Sequence, residues 1–102
     1  MPTLETSVAT VSLSGTLTEK LEAAAAAGFG AVEIFEHDLL AGQESPEQIR
    51  RRCADLGLRI NLFQPFRDFD SRTPLRLEAN LERARRKFGL MERLGVDLML
   101  VC

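Results

Sequence analysis

The sequence predicts an α/β fold with parallel strands: the first half of a (β/α)8 barrel, in the order strand–helix–strand–helix–strand–helix–strand. One observation is a junction that occurs three times, AAAGF before AVEIF, ADLGL before RINLF and ERLGV before DLMLV. Each reads as a helix end, a glycine suited to left-handed backbone, one apolar residue and then a strand. Strand–helix units repeated in this way require parallel strands joined by right-handed crossovers, which removes sandwiches and helical bundles. A second observation is register. Aligned at the junctions, Val32, Ile34, Ile60, Leu62, Leu98 and Leu100 share one face, and Glu33, Phe35, Asn61, Phe63, Met99 and Val101 share the other. The aliphatic set should face the helices. The mixed set suits a barrel interior near its open end, whereas a doubly wound sheet would leave Glu33 and Asn61 hard to satisfy. The third observation is that four strands cannot close a barrel and leave two bare edges. The 102 residues therefore read as one unit, the N-terminal half of a longer barrel, with a self-associating half-barrel as the alternative.

Each element has a local cause. Residues 7–14 (SVATVSLS) alternate apolar and small polar side chains, the period of a strand, and Gly15 turns the chain. Thr16 and Glu19 have capping-box spacing before an alanine-rich helix over 17–27, with Gly28 past its end. Residues 31–35 (AVEIF) form the second strand, and 36–44 read as a polar loop. Ser45-Pro46-Glu47-Gln48 supplies an N-cap, a proline at the first helical position and a second capping box; the helix should run over 46–56 and stop at Gly57. The third strand, 59–63, delivers its carboxyl end to Gln64 and breaks at Pro65, which lacks a ladder donor. Thr73-Pro74 opens a longer helix to Leu94, Gly95 caps it, and 97–102 (DLMLVC) is the fourth strand.

Composition narrows the function. An apolar fraction of 45%, a charged fraction of 27% and a net charge of −2 are those of an ordinary globular chain without the basic footprint of a nucleic-acid binder. No apolar run approaches the roughly 20 residues a membrane span needs, and an N-terminus carrying Glu5 does not read as a signal peptide. Two isolated cysteines, Cys53 and Cys102, fit a reducing cytoplasm better than a disulfide framework.

SVATVSLSGTL, GFGAVEIFEHDLL, LFQPFRDF and NLERARRKFGLMERLGVDLMLVC together resemble the N-terminal half of bacterial 3-dehydroshikimate dehydratases. These belong to the xylose-isomerase-like TIM barrel superfamily, with sugar-phosphate isomerases, epimerases and endonuclease IV. The resemblance implies a lyase that removes water from 3-dehydroshikimate to give protocatechuate, using a divalent metal (Mg²⁺ or Mn²⁺) as Lewis acid. It also implies metal ligands and a base on later strands, beyond Cys102, so no catalytic or metal-binding residue is assigned within this chain. Some members carry a C-terminal domain resembling 4-hydroxyphenylpyruvate dioxygenase, and nothing of it lies in these residues. The expected partner is a small-molecule substrate, with no nucleic acid and no membrane, and a homo-oligomer is left open. The competing readings are a sugar or sugar-phosphate isomerase or epimerase on the same scaffold, and a non-catalytic half-barrel.

Three residues are candidates for substrate binding. Arg67 could grip a carboxylate with two parallel bonds, or pair on the surface with Asp68 or Asp70. Gln64 could bond a ring hydroxyl, or cap loop amides around Pro65. Glu36, at the end of the second strand, faces the mouth and could touch substrate or support those that do. Glu33 should serve structure, bonding Asn61, Thr10 or Ser12. His37 reads as a loop residue, because three consecutive residues (Glu36, His37, Asp38) in extended chain do not converge on one ion. Arg83, Arg85, Arg86 and Lys87 spread over about 400° of helix and read as a solvated face, with Glu82 set to pair with Arg86. Cys53 should be a core filler. For Cys102 the sequence favours neither a buried nor a reactive state.

Overall fold

The computed structural model describes residues 6–66 and 73–101. They form one four-stranded parallel sheet in the order β1-β2-β3-β4 (β1 Ser7–Ala9, β2 Ala31–Phe35, β3 Arg59–Phe66, β4 Met99–Val101). The helices are α1 (Leu17–Ala26), α2 (Glu36–Ala41), α3 (Pro46–Asp55) and α4 (Pro74–Leu94). No helix among the described residues is long and apolar enough to cross a membrane.

The core is a single layer between sheet and helices. Leu17, Leu21 and Ala24 of α1, Ile49 and Cys53 of α3, and Met91 and Leu94 of α4 recur at helical spacing and close on Val32, Ile34 and Phe63 of the sheet. Both capping boxes form: Thr16 with Glu19, and Ser45 with Gln48. The three glycine junctions share one geometry. Gly28, Gly57 and Gly95 have positive φ, and the next amide (Phe29, Leu58, Val96) returns to the carbonyl of Ala24, Cys53 or Met91 at 3.1, 2.8 and 3.0 Å. That is the Schellman motif, and its apolar residue tucks under the helix end just before the strand begins.

Four expectations need correction. β1 stops at Ala9, and Thr10–Ser12 form a 3-10 turn where the alternation predicted strand to residue 14. The buried Thr10 hydroxyl accepts the Phe35 amide at 3.0 Å and so replaces the ladder bond a longer β1 would have made. The stretch after β2 is helical rather than a loop. It has no proline or glycine before Gly42, carries Glu36 and Asp38 in its first turn, and buries Leu39. β3 runs through Pro65 to Phe66 instead of breaking. The missing N–H falls where the β3–β4 register slips between Phe63 and Phe66, a position at which a sheet tolerates proline. β4 starts at Met99 rather than at residue 97 and is described to Val101.

A fifth correction changes the faces. Val32 pairs with Ile60, but Glu33 pairs with Leu62, so Asn61 is an extra residue in β3. One added residue inverts the side-chain alternation that follows. The helix-facing rows are therefore Val8–Val32–Ile60 and Ile34–Phe63–Met99, with Phe63 fully buried among the helices. Leu62 moves to the inner face beside Glu33, and Leu98 is 58% exposed ahead of β4.

Candidate functional site

The bulge at Asn61 has a chemical consequence one turn of the pleat later. Strict alternation from an inward Phe63 would have sent Gln64 toward the helices. With the extra residue, Gln64 lies across from Phe35 on the inner face, half-buried, near the carboxyl end of β3. In parallel α/β proteins the carboxyl ends of the strands form the ligand-binding rim, because the βα loops and helix N-termini converge there. The extra residue is held from the neighbouring edge: the Ser7 hydroxyl donates to Asn61 Oδ1 at 3.3 Å, reaching from β1 past β2.

The inner face toward that rim carries Glu33, Phe35, Leu62 and Gln64. Glu33 does not take the partners expected of it. Asn61 is engaged by Ser7, and the Thr10 hydroxyl is engaged by the Phe35 amide. Glu36 stands directly after β2, at the carboxyl end of that strand. Its Oε1 accepts a hydrogen bond from Lys87 Nζ of α4, and both side chains are largely enclosed. His37 is exposed and tilts against the Phe35 ring, with centroids 6.1 Å apart. Arg67, the third substrate-binding candidate, lies outside the described residues, as do Asp68, Asp70 and Cys102.

The basic run on α4 is not a uniform solvated face. Arg85 rather than Arg86 pairs with Glu82, at 3.5 Å, and Arg83 Nη1 donates to Asn80 Oδ1 at 3.0 Å. Lys87 is only 8% exposed. A helical wheel could have shown this: Lys87 precedes Met91 by four residues and Leu94 by seven, on the buried stripe. Lys20, which sequence reasoning missed, occupies the same kind of position between Leu17 and Ala24, and its Nζ lies 2.9 Å from Asp38 Oδ1.

Glu44 accepts from the Thr18 hydroxyl and from Arg52, and these contacts hold its carboxyl below the usual carboxylate range. Glu47 is lowered likewise by a two-pronged pair with Arg93, at 2.8 Å for each prong, which ties α3 to α4. Among the described residues no three His, Cys, Asp or Glu side chains gather where a metal ion could be held. These residues alone do not fit a metal centre.

The family model for the xylose isomerase-like TIM barrel matches residues 21–102. A 3-dehydroshikimate dehydratase of Pseudomonas putida is 65% identical over 99 residues, and one of Pseudomonas aeruginosa is 67% identical over 99 residues. Each alignment covers 97% of this chain, and this chain spans 16% of the length of either relative. Among solved structures, a xylose isomerase-like TIM barrel/4-hydroxyphenylpyruvate dioxygenase fusion protein superposes with a TM-score of 0.94 at 63% identity, over 99% of this chain and 16% of its own. A probable 3-DHS dehydratase of Bacillus anthracis superposes at 0.77 with 17% identity, over 96% of this chain and 38% of its own, a likeness of fold alone.

Proposed function

The chain belongs to the xylose isomerase-like TIM barrel family, and from that premise we propose that it forms the first half of a barrel that dehydrates 3-dehydroshikimate to protocatechuate. The observation that carries this reading is identity of 65% and 67% to two 3-dehydroshikimate dehydratases through 97% of the chain. Among the described residues the sheet has unpaired edges at β1 and β4, which supports the half-barrel part of it. In this reading the substrate meets the inner face at the carboxyl ends of the strands. Gln64 takes a ring hydroxyl, and Arg67, three residues further along, takes the carboxylate with a two-pronged charge-assisted pair. Glu36 stands at the same rim. Removal of the proton and departure of the hydroxyl are assigned to residues outside these 102. So is any divalent metal. A small-molecule substrate is the partner, and the cytoplasm is the compartment, supported by the free buried thiol of Cys53.

The test is a chimera in which this sequence replaces the corresponding segment of the Pseudomonas putida relative. A folded chimera, checked by circular dichroism, should convert 3-dehydroshikimate to protocatechuate, followed by ultraviolet absorbance. Arg67→Ala within it should raise KM, because losing a charge-assisted pair costs about 1.5–3 kcal/mol. A folded chimera that forms no protocatechuate rejects the function. An unchanged KM in the Arg67 variant removes that residue from the site.

A further inference from the structure

Lysine is almost never fully buried unless it is paired, yet Lys20 and Lys87 are 6% and 8% exposed. They lie on different helices, and both reach the same short one. Lys20 of α1 donates to Asp38, and Lys87 of α4 donates to Glu36. Glu36 and Asp38 are the first and third residues of α2, about 200° apart around its axis, so their carboxylates leave on opposite flanks. Between them in action is Leu39, whose side chain is sunk in the core. A six-residue helix has too few internal hydrogen bonds to hold itself. Its three attachments are an ion pair on each flank and an apolar pin beneath.

The arrangement also has an unbalanced member. Asp38 Oδ2 is buried without a hydrogen-bond partner among the described residues, so Lys20 is the group that offsets the charge of this carboxylate. Removing a partner from a buried pair strands the remaining charge, which costs more than the pair contributes. α2 follows β2 without an intervening loop, and so whatever fixes α2 fixes the carboxyl end of β2, with Phe35 and Glu36, at the rim.

We infer that Lys20 and Lys87 are positioning residues, a pair of buried ammonium clamps that act through Asp38 and Glu36 to hold α2 and the rim it carries. The clamp itself rests on the geometry of this chain. Its consequence for substrate rests on the proposed function.

The experiment has two arms. In this chain, amide hydrogen exchange of α2 is compared for the unaltered protein, Lys20→Met, Lys87→Met and Lys87→Arg. Either methionine variant should speed exchange at Leu39 and Leu40 about tenfold or more, with α3 and the amino end of β2 unchanged, as for local opening of a segment released from its anchors. Lys87→Arg keeps the charge and should restore most of the protection. Unchanged exchange in α2, or an equal rise throughout the molecule, overturns the clamp. In the chimera, Lys87→Met should raise KM by about tenfold while kcat stays within about twofold, the pattern of a lost positioning contact. Equal loss in kcat, or no change, overturns the role at the rim. A chimera that is inactive with both lysines in place rejects the proposed function, and the exchange arm still decides the clamp.

Discussion

Burial at Cys53 pushes its thiol up from 9.0 to about 11, because the enclosed site disfavours the thiolate. Cys53 is 1% exposed on the core side of α3. The sign of the linkage follows from where the proton sits. Between pH 9.0 and about 11 the folded chain keeps the proton and the unfolded chain loses it, so stability falls as pH rises through that window. Below pH 9.0 both states are protonated and Cys53 adds no slope. In a Cys102→Ser background, native protein at pH 8 should leave Cys53 unreactive toward a disulfide reagent, while denatured protein should react at once. Urea unfolding from pH 8 to 11 should be less steep in pH for Cys53→Ala than for its parent. Reaction of native Cys53 at the rate of an exposed thiol would contradict its burial. The thiol was legible in the sequence, since Cys53 lies four residues after Ile49 on an amphipathic helix. Lys87 was equally legible by spacing, but reading the four basic residues as a group hid the phase of that one against Met91 and Leu94. Lys20 was equally legible, three residues after Leu17 and four before Ala24 on the buried stripe of α1.

Local chemistry repeated along the chain made the elements legible where they end on glycine and start on a cap. Gly57 and Gly95 both hold left-handed backbone, at φ 73° and 76°. A methyl group at Gly57 would meet open space, whereas one at Gly95 would lie 2.7 Å from Arg50 Nε and 2.8 Å from Arg50 Cζ. Gly57→Ala should therefore cost only the backbone penalty, about 1 kcal/mol, and Gly95→Ala should cost more by whatever displacing the Arg50 head requires. Adding Arg50→Ala should abolish the difference. Chemical denaturation of the four variants measures the coupling, and equal costs at the two glycines would show that Arg50 yields freely. The elements that sequence reasoning misjudged are those whose cause lies elsewhere in the chain. α2 is short enough to need Lys20, Lys87 and the core to hold it, so its own residues read as a polar loop. β1 ends early because the Thr10 side chain serves β2. The extra residue at Asn61 is invisible to a period-two reading, since RINLF is a good strand in either register. Only pairing against Val32 and Glu33 shows that Gln64, and not Phe63, reaches the inner face. The rim candidate was thus found for its position after a strand, and its orientation depended on a tertiary contact, Ser7 with Asn61.

At the scale of the molecule, α4 has two apolar faces, and among the described residues only one of them is covered. Met91 and Leu94 are buried against the sheet, while Leu77, Leu81 and Phe88 recur at helical spacing on an exposed face, with Phe88 55% exposed. The exposed Leu98 lies beside the same edge of the sheet, where β4 has β3 as its only described neighbour. In a closed barrel a further strand pairs with β4 and a further helix covers that face of α4. Among the described residues the β4 edge is unpaired beside these apolar side chains, and such an edge promotes association. The purified chain should therefore elute from size exclusion at an apparent mass that rises with concentration. Phe88→Glu with Leu98→Lys should bring it back toward 11.3 kDa. Neither substitution touches the buried core, so the far-ultraviolet helix signal should be unchanged. A discrete dimer of fixed mass with one cooperative unfolding transition would instead favour the self-associating half-barrel, because a specific interface saturates at a defined stoichiometry whereas a bare edge does not. A monomer at every concentration would mean that neither the edge nor the second face of α4 is sticky, and the half-barrel reading would lose its physical basis.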